Sequence, residues 1–163
     1  MKSFLEKLSS ALAQLPLPEK VVCYGIAFSG GLDSSVLLAG LARLDHRPVR
    51  ALHVNHGLHP KSNQWEDHCR SVAVSLGVDF ESLRVSIKPR PGESLEAQAR
   101  SIRYQALASM LQPSELLLTA HHAEDQLETI LLRLLRGSGV KGLRGIASLR
   151  CLGAHYVARP MLK

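Results

Sequence analysis

Short apolar runs alternate with amphipathic stretches along the whole chain. Val21 to Phe28 and Leu116 to Ala120 are almost uninterruptedly apolar, which suits strands buried on both faces. Val49 to Val54, Leu83 to Ile87 and Tyr156 to Ala158 are shorter β-prone runs. Between them the period changes to that of a helix. A helix is predicted from about Ser34 to Leu44. A second carries Trp65, Cys69, Val72, Ala73 and Leu76 behind Ser62-Asn63, with Glu66 placed to complete a capping box from Asn63 and Gly77 as its stop. Ser94 can cap a third helix reaching about Leu111, and Leu127, Ile130, Leu131, Leu134 and Leu135 mark a fourth that ends at Gly137. Leu5, Leu8, Leu12 and Leu15 give an opening amphipathic helix that stops before Pro16.

Strands alternating with helices predict an α/β fold: a parallel twisted sheet of about five strands, helices on both faces, and right-handed crossovers. In such sheets ligands bind beyond the carboxyl ends of the strands, where strand order reverses. The polar residues expected there are Ser29 to Asp33, Asn55 to Gly57, the basic loop Lys88 to Arg90, His121 to Asp125, and Arg159. With 163 residues, 45% of them hydrophobic, the chain can build one substantial core, so a single domain over 1–163 is expected.

The first strand runs into Ser29-Gly30-Gly31-Leu32-Asp33-Ser34-Ser35 and then into a helix. Paired glycines allow positive φ and close approach of backbone to ligand, while Asp33, Ser34 and Ser35 put capping groups and hydroxyls beside free N–H groups. A helix start of this kind is an anion site. No lysine follows Gly31 as a Walker A loop requires, and the GxGxxG fingerprint is absent. An ordinary capped turn is the competing reading.

Charge and cysteine usage narrow the setting. Twenty Lys and Arg against 14 acidic residues give a net charge of +6, a balance that favours polyanions such as RNA, although the basic residues are spread along the chain. Cys23, Cys69 and Cys151 form no CxxC pair, which speaks against a zinc ribbon or disulfide framework and for a reducing, cytoplasmic setting. Lys2, Glu6 and Lys7 interrupt the opening segment, so it does not read as a signal peptide, and no run approaches membrane-spanning length.

Two further groups carry candidate chemistry. His53, His56 and His59 are three apart, yet a strand leading into a loop does not present that spacing as one ligand set, and Asn55-His56-Gly57 reads better as the lining of a nucleotide pocket. Asp125, Glu128 and Thr129 stand at i, i+3 and i+4, opposite the leucine face. Dipole complementarity alone accounts for acids in a first turn; beside a phosphate loop they would hold Mg²⁺ or pair with a cationic substrate. Glu96, Arg100 and Arg103 allow an intrahelical ion pair, or arginines free to meet phosphates.

The SGGxDS pattern resembles the pyrophosphate loop of the N-type ATP pyrophosphatases. Together SGGLDSS (29–35), HVNHGL (53–58), SLEAQARSIRYQAL (94–107), TAHHAEDQLET (119–129), RLLRGSGVKGLRGI (133–146) and RPML (159–162) are similar, in order, to the N-terminal catalytic domain of the tRNA(Ile)-lysidine synthetases. That resemblance implies an adenine nucleotide alpha hydrolase-like, Rossmann-like fold. It also implies ligation of free L-lysine to C2 of the wobble cytidine of tRNA(Ile) with a CAU anticodon, using ATP and Mg²⁺ through an adenylated cytidine. Codon recognition would change from AUG to AUA.

By the same resemblance, Ser29, Gly30, Gly31, Leu32, Asp33, Ser34 and Ser35 would hold the pyrophosphate, and His53 and Asn55 would contact adenosine. Asp33 and Asp125 are the expected metal ligands. Asp125 and Glu128 would receive the lysine, with His122, Arg100 and Arg103 completing the catalytic set and Gly137 to Gly142 forming a mobile loop.

Many relatives carry Asp at positions 55 and 124, where this chain has Asn55 and Glu124; the first difference weakens a metal role at 55. Family members also continue past the RPxL segment, so weak or absent turnover is expected from these residues alone. Oligomeric state stays open, a homodimer included. The rival readings are another ATP pyrophosphatase of the tRNA-thiolating or GMP synthetase type, disfavoured by the scattered cysteines, and a non-catalytic ATP- or tRNA-binding module.

Overall fold

The computed structural model describes residues 2–17, 21–44, 47–87, 92–137 and 142–162. Helix α1 (Lys2–Ala13) is followed by β1 (Cys23–Ala27), α2 (Leu32–Leu41), β2 (Val49–Asn55), α3 (Ser62–Ser75), β3 (Asp79–Arg84), α4 (Leu95–Met110), β4 (Glu115–Leu118), α5 (Ala123–Leu135), β5 (Leu149–Leu152) and β6 (His155–Ala158). The six strands lie in the order β3-β2-β1-β4-β6-β5. All neighbours are parallel except β5 and β6.

Strand periodicity divides the core in two. Leu116 and Leu118 of β4 join Tyr24, Ile26, Ala51 and Ala158 in a cluster shared with α1, α2 and α3; Leu117 joins Leu52 and Val157 against Leu107, Met110 and Leu111 of the α4 segment. Helices therefore cover both faces. Each leucine buried this fully contributes about 1.5–3 kcal/mol. Gly40 lets α1 lie close on α2, since a Cβ there would stand 2.8 Å from Phe4 Cε1.

Three local expectations are corrected. The third strand is Asp79–Arg84 rather than Leu83 to Ile87: it is a largely exposed edge strand, so its residues need no apolar run. A sixth strand, β5, lies outside the predicted elements. It pairs antiparallel with β6 through the turn at Gly153, whose φ is +60°, and makes the sheet's other edge. The capping box from Asn63 does not form: α3 starts at Ser62 with Lys61 at the N-cap, and Glu66 turns inward toward the sheet. Ser94 does cap α4, accepting the Ala97 N–H at 3.2 Å.

Candidate functional site

Strand order reverses between β1 and β4, since β2 and β3 extend one way and β6 and β5 the other. The crevice predicted by that switch point is present. A cavity of about 520 Å³ opens at the carboxyl ends of these strands, lined by the glycine loop, the residues after β2, the face of α4 and the residues after β4.

The glycine loop is held from below and from within. Gly30 has φ +79°, and a Cβ on it would lie 2.8 Å from the Sγ of buried Cys69 on α3. Any side chain there is strained on two counts. The hydroxyls of Ser34 and Ser35 donate to the Gly31 carbonyl at 3.0 and 2.8 Å, the Ser29 hydroxyl accepts the Gly31 N–H at 3.3 Å, and the Ser29 and Ser34 hydroxyls stand 3.0 Å apart. Gly31 is the N-cap of α2 with no side-chain cap, so no side chain of the N-cap takes the first N–H groups of that helix. Ser29, Gly31, Asp33 and Ser34 line the cavity; Leu32 is exposed to solvent.

Across the crevice, α5 begins with its own cap. His122 is the N-cap: its ring nitrogen accepts the Glu124 N–H at 3.3 Å while Asp125 accepts the His122 N–H at 2.8 Å. The other ring nitrogen of His122 lies 3.7 Å from Asp33 and 3.8 Å from Asp125. One imidazole thus stands between the carboxylates of the two half-sites. Glu128 is exposed one turn further along α5.

The residues after β2 do three different jobs. His53 is buried and donates from Nδ1 to the Phe28 carbonyl at 2.8 Å, tying β2 to the residue just before the loop. Asn55 has its amide taken by Glu66 and Asn63 and its carbonyl by the Gly57 N–H, so its side chain shapes the turn. His56 accepts from Arg103, and His59 stacks on Trp65 with ring centroids 4.7 Å apart. The three histidines make separate contacts, although all three, with Asn55, line the cavity. Among the described residues, no group of three or more His, Cys, Asp or Glu is arranged to hold a metal.

Arg100 and Arg103 are exposed on α4 and line the cavity. The ion pair allowed between Glu96 and Arg100 does not form; Arg100 lies over the Tyr104 ring, 5.6 Å from its centroid. Arg159 is buried and donates to the Ala147 carbonyl at 2.7 Å, which anchors the approach to β5 outside the cavity lining. His121 shares a 2.8 Å hydrogen bond with Thr119, and burial, then Arg159, lowers its pKa below 6.5. The expected basic loop from Lys88 to Arg90, and Ser138 to Lys141 of the glycine-rich loop, lie outside the described residues.

The sequence matches the PP-loop domain family from residue 4 to residue 163. The chain belongs to the PP-loop family. It is 54% identical over 142 residues to the tRNA(Ile)-lysidine synthase of Alkalilimnicola ehrlichii, covering 85% of this chain and 32% of that protein. It is 43% identical over 162 residues to that of Histophilus somni strain 2336, covering 97% of this chain and 37% of the relative. This PP-loop chain therefore spans about a third of the length of the curated relatives it matches. A U34-tRNA thiolase from Methanococcus maripaludis, solved with its iron–sulfur cluster, superposes at TM-score 0.71 with 17% identity, over 98% of this chain and 58% of that one. At that identity the likeness shows the fold alone.

Three residues that support the PP-loop site were not singled out for it from sequence. Glu66 is 4% exposed; burial opposes its charge, but hydrogen bonds from Asn55, Ser82 and Arg84 prevail and bring its pKa down to about 2. Gln126 bonds both backbone groups of Ile146, and the lack of a Cβ on Gly145 lets that segment come close, since a Cβ there would run into the Gln126 amide. Trp65 adds an exposed aromatic wall to the cavity. Glu66 had a signal that pointed the wrong way, because its spacing from Asn63 fits a cap as well as a buried hub.

Proposed function

We propose that this chain is the catalytic PP-loop part of an enzyme that uses ATP to ligate lysine to C2 of the wobble cytidine of tRNA(Ile). The observation that carries the reading is the meeting of glycine loop and acidic helix at the switch point, with Asp33 and Asp125 each within 4 Å of the same His122 nitrogen. The names of the relatives supply the substrates.

In the first step the C2 oxygen of the cytidine attacks the α-phosphorus of ATP, the bond to the β-phosphate oxygen breaks, and pyrophosphate leaves. The N–H groups at the start of α2 would stabilise charge growing on that leaving group, which is where stabilisation accelerates the step. In the second step the lysine ε-amine attacks C2, AMP departs, and lysidine forms. Asp125 and Glu128 would orient the amine and help it lose a proton. Asp33 and Asp125 are hard oxygen donors on opposite sides of the crevice, which fits Mg²⁺ completed by phosphate and water oxygens. Such an ion would offset charge on the phosphates.

Incubation of a full-length protein that carries this chain with ATP, Mg²⁺, labelled lysine and a CAU-anticodon tRNA(Ile) tests the reading. Label entering the tRNA is the expected result. Adenylated tRNA without lysine would point to a different PP-loop enzyme, and binding without AMP formation to a non-catalytic module. The thiolating alternative gains nothing from the structure, because Cys23, Cys69 and Cys151 stand on three separate elements.

A further inference from the structure

The contact between α4 and the loop after β2 has a defined proton arrangement. Arg103 Nε donates to His56 Nε2 at 3.2 Å. An arginine nitrogen only donates, so the imidazole must accept, and the neutral ring then carries its proton on Nδ1. That Nδ1 is buried and has no hydrogen-bond partner, so the contact with Arg103 is what fixes ring and tautomer. No described residue takes the terminal N–H groups of Arg103, which lines the same cavity as the PP-loop. A guanidinium held at Nε presents its two terminal nitrogens as a fork that matches phosphate.

We propose that His56 is a positioning residue: by accepting the Nε–H of Arg103 it aims the far edge of that guanidinium at a phosphate oxygen of the ligand in the cavity. The inference rests on the nucleotide-and-tRNA reading above, and either ATP or the tRNA backbone supplies the phosphate. Protonation of His56 turns its acceptor into a donor and sets a cation against Arg103, so the arrangement belongs to the neutral ring. Burial lowers the pKa of His56 below 6.5, and the facing groups, Arg103 on α4 and His53 on β2, lower it further. The contact therefore holds at neutral pH and is lost as pH falls below that range.

The test measures dissociation constants for ATP with Mg²⁺ and, separately, for a CAU anticodon stem-loop RNA, at pH 7.5 and pH 5. His56→Phe removes the acceptor, whereas His56→Gln keeps an oxygen near the Nε2 position and removes the titration. His56→Phe and Arg103→Ala should each weaken one of the two ligands by about tenfold at pH 7.5, and the double variant by no more than either single one. His56→Gln should keep wild-type affinity at pH 7.5 and lose less than wild type on going to pH 5.

Loss confined to ATP assigns the phosphate to the nucleotide, and loss confined to RNA assigns it to the tRNA backbone; both support the proposal. Wild-type affinity of His56→Phe for both ligands overturns it. So does a Gln variant, melting like wild type, that binds as poorly as the Phe variant. Failure of the wild-type chain to bind either ligand would instead remove the proposed function, and this inference with it.

Discussion

The two helices that meet at the crevice are built in opposite ways. Helix α2, which starts in the glycine loop, buries Ser34, Leu37, Leu38, Gly40 and Leu41, whereas α5, which carries Asp125 and Glu128, has no buried residue among its 13. The glycine-loop half of the site is thus part of the core. The acidic half is held by a capping box at His122 and by the Gln126 contacts to Ile146, with Leu127, Leu131, Leu134 and Leu135 left exposed. Core packing fixes the first half, and a few polar bonds fix the second.

The comparison can be broken most severely at the loop. Asp33→Ala should lower AMP formation by about 10²–10³-fold, an effect of the size seen when one stabilising group is removed from a reaction centre; pyrophosphate release assays would measure it. Gly30→Ala should cost about 1–3 kcal/mol in chemical denaturation, because it combines a disfavoured φ with a clash against Cys69, and should abolish ATP binding by calorimetry.

Smaller effects are expected where polar bonds act alone. Glu66→Gln should destabilise by about 1–3 kcal/mol at neutral pH. With a folded pKa near 2 against an ordinary 4.5, the Glu66 contribution is complete above 4.5 and disappears as pH falls toward 2, a slope the Gln variant should lack in urea melts. Gln126→Ala should cost only about 1 kcal/mol and loosen α5 without touching ATP affinity. Glu128→Ala should leave stability within about 0.5 kcal/mol of wild type. It should chiefly slow lysine transfer while tRNA adenylation continues; equal loss of both steps would count against its assignment to the lysine side.

What the sequence discloses follows the same division. β1 and β4 are legible because continuous apolar runs leave few alternatives, and the turn into α2 because two glycines and a run of hydroxyls suit only a few backbones. β3 is not legible in the same way, because an edge strand with one half-buried aromatic, Phe80, carries no periodic signature. β5 leaves no local signal because Leu149 to Leu152 becomes a strand through pairing with β6, a tertiary effect. In the site, residue types were readable but partners were not. Nothing in the spacing of Glu66 reveals that it reaches Asn55 rather than its own helix end, and nothing local to His56 announces Arg103, 47 positions away.

The cysteine beneath the glycine loop also makes the loop's motion chemically visible. Cys69 is fully buried and, chiefly through burial, its thiol is raised to about 11, while Cys151 is exposed. A thiolate-selective reagent will therefore modify Cys151 promptly and reach Cys69 only when the loop lifts away from α3. With both Cys151 and the half-buried Cys23 replaced by serine, the rate of that slow alkylation reports how often the cradle opens. A nucleotide seated in it should lengthen the interval between openings.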